Sequence, residues 1–292
     1  MSAEHSTAAA GETLLSVRDL GISFPAPGGT RDVVHDLSFD LARGASLGIV
    51  GESGSGKSMT SLAIMGLLPK GGSRRGSIEF DGRDLTALSE RQMREVRGNR
   101  IAMIFQDPLS SLNPYYRVGT QIIEAYRAHR SGVSRREARR VAIEALERVH
   151  IREASVRVDH YPHQFSGGMR QRIMIAMALA MDPDLIIADE PTTALDVTVQ
   201  AQILALLDEI RAESGASMIL ITHDLAVVSE VTDDIVVMRD GAMVESGSTE
   251  RIFCDPQEDY TQRLLDAVPR IDDAIGTMRT TDTISTLPGG ER

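Results

Sequence analysis

Two short stretches of this 292-residue chain carry residue types that can do chemistry. The first, Gly51-Glu52-Ser53-Gly54-Ser55-Gly56-Lys57-Ser58, fits G-x-x-x-x-G-K-[ST] and stands between the apolar run Leu47–Val50 and a helical pattern. Its glycines let the backbone close around phosphate oxygens with N–H groups inward, and the helix that follows adds its dipole. Lys57 supplies a point charge for β- and γ-phosphates, and Ser58 a hydroxyl for Mg²⁺. The second stretch, Leu185-Ile186-Ile187-Ala188-Asp189-Glu190, is an apolar strand that ends in two carboxylates. Asp189 at its mouth suits a direct or water-mediated Mg²⁺ contact. Glu190 beside it is placed to polarise an attacking water. Together they point to chemistry at the terminal phosphate of a nucleotide.

Two classes compete at this point, a kinase or small GTPase and a mechanochemical ATPase. Guanine reading normally needs an N-K-x-D segment, and the sequence has none. The Glu that directly follows Asp189 also points away from the GTPases.

These groups must be held by a framework, and the apolar pattern outlines it. Alternation over Leu14–Phe24 (Leu15, Val17, Leu20, Ile22, Phe24) predicts a strand, and Pro25 to Gly29 a turn. Further strands are expected at Val33–Asp40, Ser46–Val50, Ser77–Phe80 and Arg100–Phe105, with helices at Met59–Leu68 and Ser89–Val96. Residues 119–150 then read as wholly helical, with Ser134 and Glu137 as a capping box. A helix over Gly167–Met181 follows. Strands at Leu185–Ala188, Ser217–Thr222, Asp234–Met238 and Met243–Glu245 alternate with helices at Thr198–Ser214 and Leu225–Thr232. Such alternation argues for a parallel sheet covered by helices. The chain thus reads as a mixed α/β core interrupted by a helical insert at about 107–180. Residues 1–12 and the stretch 271–292 lack an apolar period and read as a disordered lead and tail. No internal repeat is visible.

Composition sets limits. Lys and Arg total 31 against 42 Asp and Glu, a net charge of −11, which argues against nucleic acid as a partner. The lone cysteine, Cys254, makes no internal disulfide and no four-thiolate metal site. Glu4 and Glu12 precede the first basic residue, Arg18, unlike a secretory leader. The longest apolar run, the nine residues Ile173–Met181, falls short of the roughly 20 a spanning helix needs. A cytoplasmic chain, held at a membrane only through a partner, is expected.

A third motif places the chain in a family. Phe165-Ser166-Gly167-Gly168-Met169-Arg170-Gln171 resembles the L-S-G-G-Q signature of the ATP-binding subunits of ABC transporters. Ser-Gly-Gly at a helix N-terminus is itself a phosphate-binding device. The resemblance covers about residues 14–270 and implies an α/β fold: a P-loop ABC nucleotide-binding domain over 13–270, with a RecA-like core, an antiparallel β subdomain and an inserted helical subdomain. It makes Gly51–Ser58 the Walker A loop and Leu185–Asp189 the Walker B strand. It gives Gln106 the role of the Q-loop glutamine that contacts Mg²⁺ and water. His223 becomes the switch histidine at the γ-phosphate, and Thr193-Ala194-Leu195-Asp196 the D-loop along a dimer interface. Phe24 becomes the aromatic that stacks on adenine. Ser166, with Gly167 and Gly168 after it, lies 115 residues beyond Gly51, and in the family these three meet the phosphate loop of a second chain. The implied cofactors are ATP and Mg²⁺, bound in two composite sites of a head-to-tail dimer that closes on ATP and opens after hydrolysis.

The runs Phe105–Pro114, Phe165–Ala180 and Ala188–Thr198 look like the peptide and nickel importer branch, and Met169 and Met174 like its D-type ATPases. The resemblance therefore implies a translocase subunit that powers uptake of oligopeptides or dipeptides, with nickel or another solute as the alternative. The implied partners are an F-type paralogous ATPase or a second copy of this chain, two transmembrane permeases and, indirectly, an extracytoplasmic solute-binding protein. Its place would be the cytoplasmic face of the membrane. A basic stretch (Arg127, Arg130, Arg135, Arg136, Arg139, Arg140) reads as a solvated helix face or a contact with lipid or permease. Soluble family members in repair, chromosome structure and translation are the remaining alternative. The 115 residues between the two motifs leave no room for a coiled-coil arm, and the chain has one ATPase unit rather than two. One departure stands out. The branch carries an H-P-Y-T segment near its C-terminus, whereas here Pro256-Gln257-Glu258-Asp259-Tyr260-Thr261 keeps only Tyr-Thr. Many D-type relatives also end in an iron–sulfur cysteine cluster, which Cys254 alone cannot form, so no iron–sulfur cluster is expected.

Overall fold

A computed structural model describes residues 12–107, 111–193 and 195–267. The lead before Glu12, Ala194 of the D-loop and the tail at 271–292 lie outside the described residues. Ten strands form one sheet: β1 (Thr13–Ala26), β2 (Gly29–Ala42), β3 (Ser46–Val50), β4 (Ser73–Phe80), β5 (Arg83–Asp84), β6 (Ile101–Ile104), β7 (Leu185–Asp189), β8 (Ser217–Thr222), β9 (Asp234–Arg239) and β10 (Ala242–Ser248). Their order is β5-β4-β1-β2-β10-β9-β3-β8-β7-β6. The sheet has two characters. β5, β4, β1 and β2 are antiparallel neighbours, while β9, β3, β8, β7 and β6 run parallel.

The parallel half explains its own sequence. β3, β6, β7 and β8 are buried at every position, so they read as unbroken apolar runs. Successive side chains still point to opposite faces. Ile186 and Ala188 enter a core shared with the helical insert, whereas Leu185 and Ile187 enter one shared with β1, β2, β4 and α1 (Lys57–Ile64). One strand therefore ties two cores together.

The hairpin of β1 and β2 turns more tightly than expected. Pairing continues through Pro25 with Thr30 and Ala26 with Gly29, so Pro27-Gly28 alone makes the turn. Helix α1 starts at Lys57, two residues before the expected Met59, because Gly56 at φ +97° caps it. α2 (Glu90–Val96) carries the capping box of Ser89 and Gln92.

Between β6 and β7 lies the helical insert: α3 (Val118–His129), α4 (Arg135–Arg148), α5 (Ala154–Arg157) and α6 (Gly167–Leu179). The helical stretch expected at 119–150 is two helices, the second starting at the expected Ser134. Arg130 leaves helical backbone, Gly132 turns at φ +80°, and Ser134 Oγ accepts from the Glu137 amide to start α4. Of the basic stretch, Arg139 pairs with Asp159 and Arg140 with Glu144, as expected of a solvated face. α7 (Val197–Ser214), α8 (Leu225–Val231), α9 (Thr249–Cys254) and α10 (Asp259–Asp266) complete the described helices. None of them is long and apolar enough to cross a membrane.

Candidate functional site

Four strands, adjacent in the order β3-β8-β7-β6 and mutually parallel, end at one edge of the sheet. Each delivers one piece of the predicted site: β3 the phosphate loop, β8 His223, β7 Asp189 and Glu190, and β6 Gln106 two residues on. Ligands of open α/β sheets bind outside this carboxyl edge.

The loop at β3 is shaped by what glycine permits. A Cβ on Gly51 (φ +148°) would sit 2.0 Å from the Met238 carbonyl oxygen, and one on Gly56 2.9 Å from that of Val33. Lys57, 5 % exposed, donates to the carbonyls of Gly51 (2.7 Å) and Glu52 (2.9 Å). Burial lowers the pKa of its ammonium, against the raising pull of Glu190, Asp189 and Glu52. Ser58 Oγ donates to Asp189 Oδ1 at 2.9 Å, which joins two motifs 131 residues apart. Asp189 is 8 % exposed, and burial holds its carboxyl above the usual range while the Ser58 hydrogen bond opposes this.

Glu190 is the most tightly steered side chain of the edge. Its backbone takes φ +45°, costly for a residue with a Cβ, and its amide donates to the Ile221 carbonyl (2.9 Å). Its Oε2 accepts from Gln106 Nε2 (3.1 Å) and Thr193 Oγ1 (2.8 Å), and His223 Nδ1 lies 3.5 Å from Oε1. The carboxylate side chain is 18 % exposed and His223 62 %, so the group opens to solvent from one side. Gln106, expected at the metal, here donates from its amide nitrogen to Glu190. Thr193 was read only as part of the D-loop. Its hydroxyl at position +3 from Glu190 is what the motif reading passed over.

The remaining predicted residues lie elsewhere. Ser166 caps α6, its Oγ accepting from the Met169 amide at 3.4 Å, and Ser166 and Gly167 are exposed. A Cβ on Gly168 would come 2.6 Å from Val199 Cγ1 of α7. Asp196 caps α7, its carboxylate accepting from the Val199 amide at 3.0 Å. No hydrogen bond or ion pair among the described residues joins Ser166–Gly168 to Gly51–Ser58. Phe24, on β1, is half-buried with its ring against Gly72, where a Cβ would sit 2.8 Å from Cε1.

The donor set fits Mg²⁺ with a nucleotide. Ser58 and Asp189 offer hard oxygen atoms, and the described residues hold no cluster of three His, Cys, Asp or Glu side chains that would cage a metal. Mg²⁺ typically takes one or two protein oxygens and completes its shell with water and phosphate. Ser55 Oγ, buried in the loop, has no hydrogen-bond partner among the described residues, as expected of a cradle built for an oxygen-rich ligand.

Comparison with known proteins agrees with this geometry. The ABC transporter family profile matches residues 34–193. The oligopeptide transport ATP-binding protein OppD of Escherichia coli is 49% identical over 278 residues, which cover 95% of this chain and 80% of that protein. The dipeptide transport ATP-binding protein DppD of Bacillus subtilis is 52% identical over 263 residues, 89% of this chain and 78% of that one. Among solved structures, the ATP-binding cassette MJ0796, in a dimeric post-hydrolysis state bound to ADP and Pi, superposes with a TM-score of 0.71 at 26% identity, covering 81% of this chain and 99% of that one. The parallel core, antiparallel strands and helical insert are those of an ABC nucleotide-binding domain, and the chain belongs to the ABC transporter family as an ATP-hydrolysing subunit.

Proposed function

We propose that this chain powers the import of oligopeptides or dipeptides from the cytoplasmic face of the membrane, docked on two permease subunits. It pairs there with a second ATPase, either a paralogue or another copy of itself, and a solute-binding protein on the far side delivers the cargo. The observation that carries the reading is identity near one half, spread over 89–95% of the chain, to the oligopeptide and dipeptide transport subunits. We take residues 13–270 as one nucleotide-binding unit.

Within that unit the phosphate loop and Lys57 hold the nucleotide phosphates, and Ser58, Asp189 and the oxygen of Gln106 face the metal. Bound Mg²⁺ neutralises charge on the β- and γ-phosphate oxygens. Glu190, held by Gln106 and Thr193, takes the proton from an attacking water, and His223 steadies the γ-phosphate side. Phe24 serves the adenine. Ser166, Gly167, Gly168 and Asp196 serve the site of the facing chain. A ligand that links two chains in one conformation shifts the equilibrium towards it, and its loss after hydrolysis releases them.

The test is a co-purification. Tagged Glu190→Gln protein is drawn from membranes in mild detergent with ATP present. Recovery of two multi-span permeases and an ATPase partner is the expected result. Recovery of the chain alone, or with soluble or nucleic-acid partners, would overturn the transport reading and leave the ATPase intact.

A further inference from the structure

The C-terminal segment, where the sequence departs from the H-P-Y-T pattern of its branch, reaches back to the phosphate loop. Glu245 of β10, 6 % exposed, accepts at its carboxylate from the amides of Gln257 (2.9 Å) and Glu258 (3.3 Å). These amides precede α10, so a buried charge fixes where that helix begins. The second residue of that helix, Tyr260, is 6 % exposed, with the Arg239 guanidinium 4.9 Å over its ring. Its hydroxyl accepts a hydrogen bond from the Glu52 amide at 3.3 Å.

That amide belongs to the same peptide plane as the Gly51 carbonyl, which receives Lys57 Nζ at 2.7 Å. The Gly51–Glu52 peptide is therefore held at both ends, by the phosphate-binding lysine on its oxygen and by Tyr260 on its nitrogen. Gly51 at φ +148° has no side chain to resist rotation of this plane. When Lys57 turns to a phosphate, Tyr260 remains to hold the peptide. We propose that Tyr260 is a positioning residue for nucleotide binding, which orients the Gly51–Glu52 peptide and so places the start of the phosphate loop. The retained Tyr of the Tyr-Thr pair, and the Glu245 anchor that launches its helix, then serve the nucleotide site.

This rests on the reading of Gly51–Ser58 as the phosphate loop, so the experiment separates the two. ATP affinity, kcat and KM, and nucleotide-free melting are measured on the full chain for Tyr260→Phe and Lys57→Ala. Tyr260→Phe removes one oxygen and keeps the ring beneath Arg239. It should raise the Kd and KM for ATP roughly two- to tenfold, with kcat within about twofold and nucleotide-free melting lowered by no more than the roughly 2–4 °C that one lost hydrogen bond gives. Wild-type affinity in Tyr260→Phe, or a fall in kcat at unchanged Kd, overturns the proposal. A melting temperature low enough to leave part of the chain unfolded at the assay temperature also overturns it, since that assigns the affinity loss to stability alone. Lys57→Ala should cost about two orders of magnitude in ATP affinity, as expected when one partner of a buried charge contact is truncated. If Lys57→Ala binds ATP normally, the loop reading fails and takes the proposal with it.

Discussion

The carboxyl edge of the parallel strands and the N-terminus of α6, the two regions proposed to meet phosphate, differ in how complete they are. At the edge, Ser58 already bonds Asp189, Glu190 is met by Gln106, Thr193 and His223, and Lys57 is held by the carbonyls of Gly51 and Glu52. Around α6, Ser166 and Asp196 spend their side chains on helix caps, and Gly167 faces solvent. The first region is organised before any partner arrives. The second has geometry but nothing to grip. Chemistry can be preorganised within one chain, whereas a device that reports whether nucleotide is bound must stay open until a second chain supplies it. Substitutions in the two regions should therefore fail in different ways.

The largest effect belongs to the preorganised edge. Glu190→Gln keeps the shape and the hydrogen bonds from Gln106 and Thr193 but removes the base. Turnover should fall by about 10²–10⁴, the usual worth of a general base, while ATP affinity stays near wild type. Single-turnover kinetics and nucleotide titration check both halves. Wild-type turnover in this variant would remove Glu190 from the chemistry. The open region should break differently. Gly167→Asp puts a carboxylate in the first turn of α6, where a Cβ meets only Leu195 Cδ2 at 3.9 Å and the helix dipole favours it. The chain should fold and bind ATP as before. A facing γ-phosphate would meet like charge, at a cost of several kcal/mol, so ATP-driven dimerisation should weaken by roughly a hundredfold or more. Sedimentation with ATP in the Glu190→Gln background reads this directly. Normal dimerisation would mean that α6 does not meet phosphate.

How much of this could be read beforehand follows from how local each device is. Gly51–Ser58 and Asp189-Glu190 are contiguous runs whose residue types imply their conformation, and the strands that carry them are apolar throughout because both faces are buried. The helix start at Ser134 is legible in the same way, from a cap residue three positions before a Glu. Thr193 turns back on Glu190, three residues before it, whereas Tyr260 reaches Glu52 across the fold, from 208 residues away. Such a long-range contact depends on strand order, which no local pattern encodes. The +45° φ of Glu190 likewise answers to the Ile221 carbonyl on the neighbouring strand.

The smallest predicted effect sharpens the contrast from the side of stability. If the edge is preorganised for metal and phosphate, it carries strain when they are absent, and Asp189 is where that strain is legible. Burial raises its folded-state pKa above the unfolded value. The sign follows from proton binding. Below the unfolded carboxylate pKa of about 3.9 both states are protonated and Asp189 is buried without penalty. As pH rises towards and through the raised folded-state pKa, the unfolded chain gives up its proton more readily, and stability falls. The penalty grows up to the raised folded-state pKa and is constant above it. Asp189→Asn can still accept from Ser58 Oγ but carries no charge. Nucleotide-free Asp189→Asn protein at pH 7 should therefore melt roughly 2–4 °C above wild type, the shift about 1 kcal/mol gives in a chain of this size. The gap should close as pH is lowered past the carboxylate range, and Mg²⁺-dependent turnover should be lost. An Asn variant that melts below wild type at pH 7 would mean that the Asp189 carboxylate is stabilised in place by Lys57 and Ser58, and that the edge stores no cost before its ligand binds.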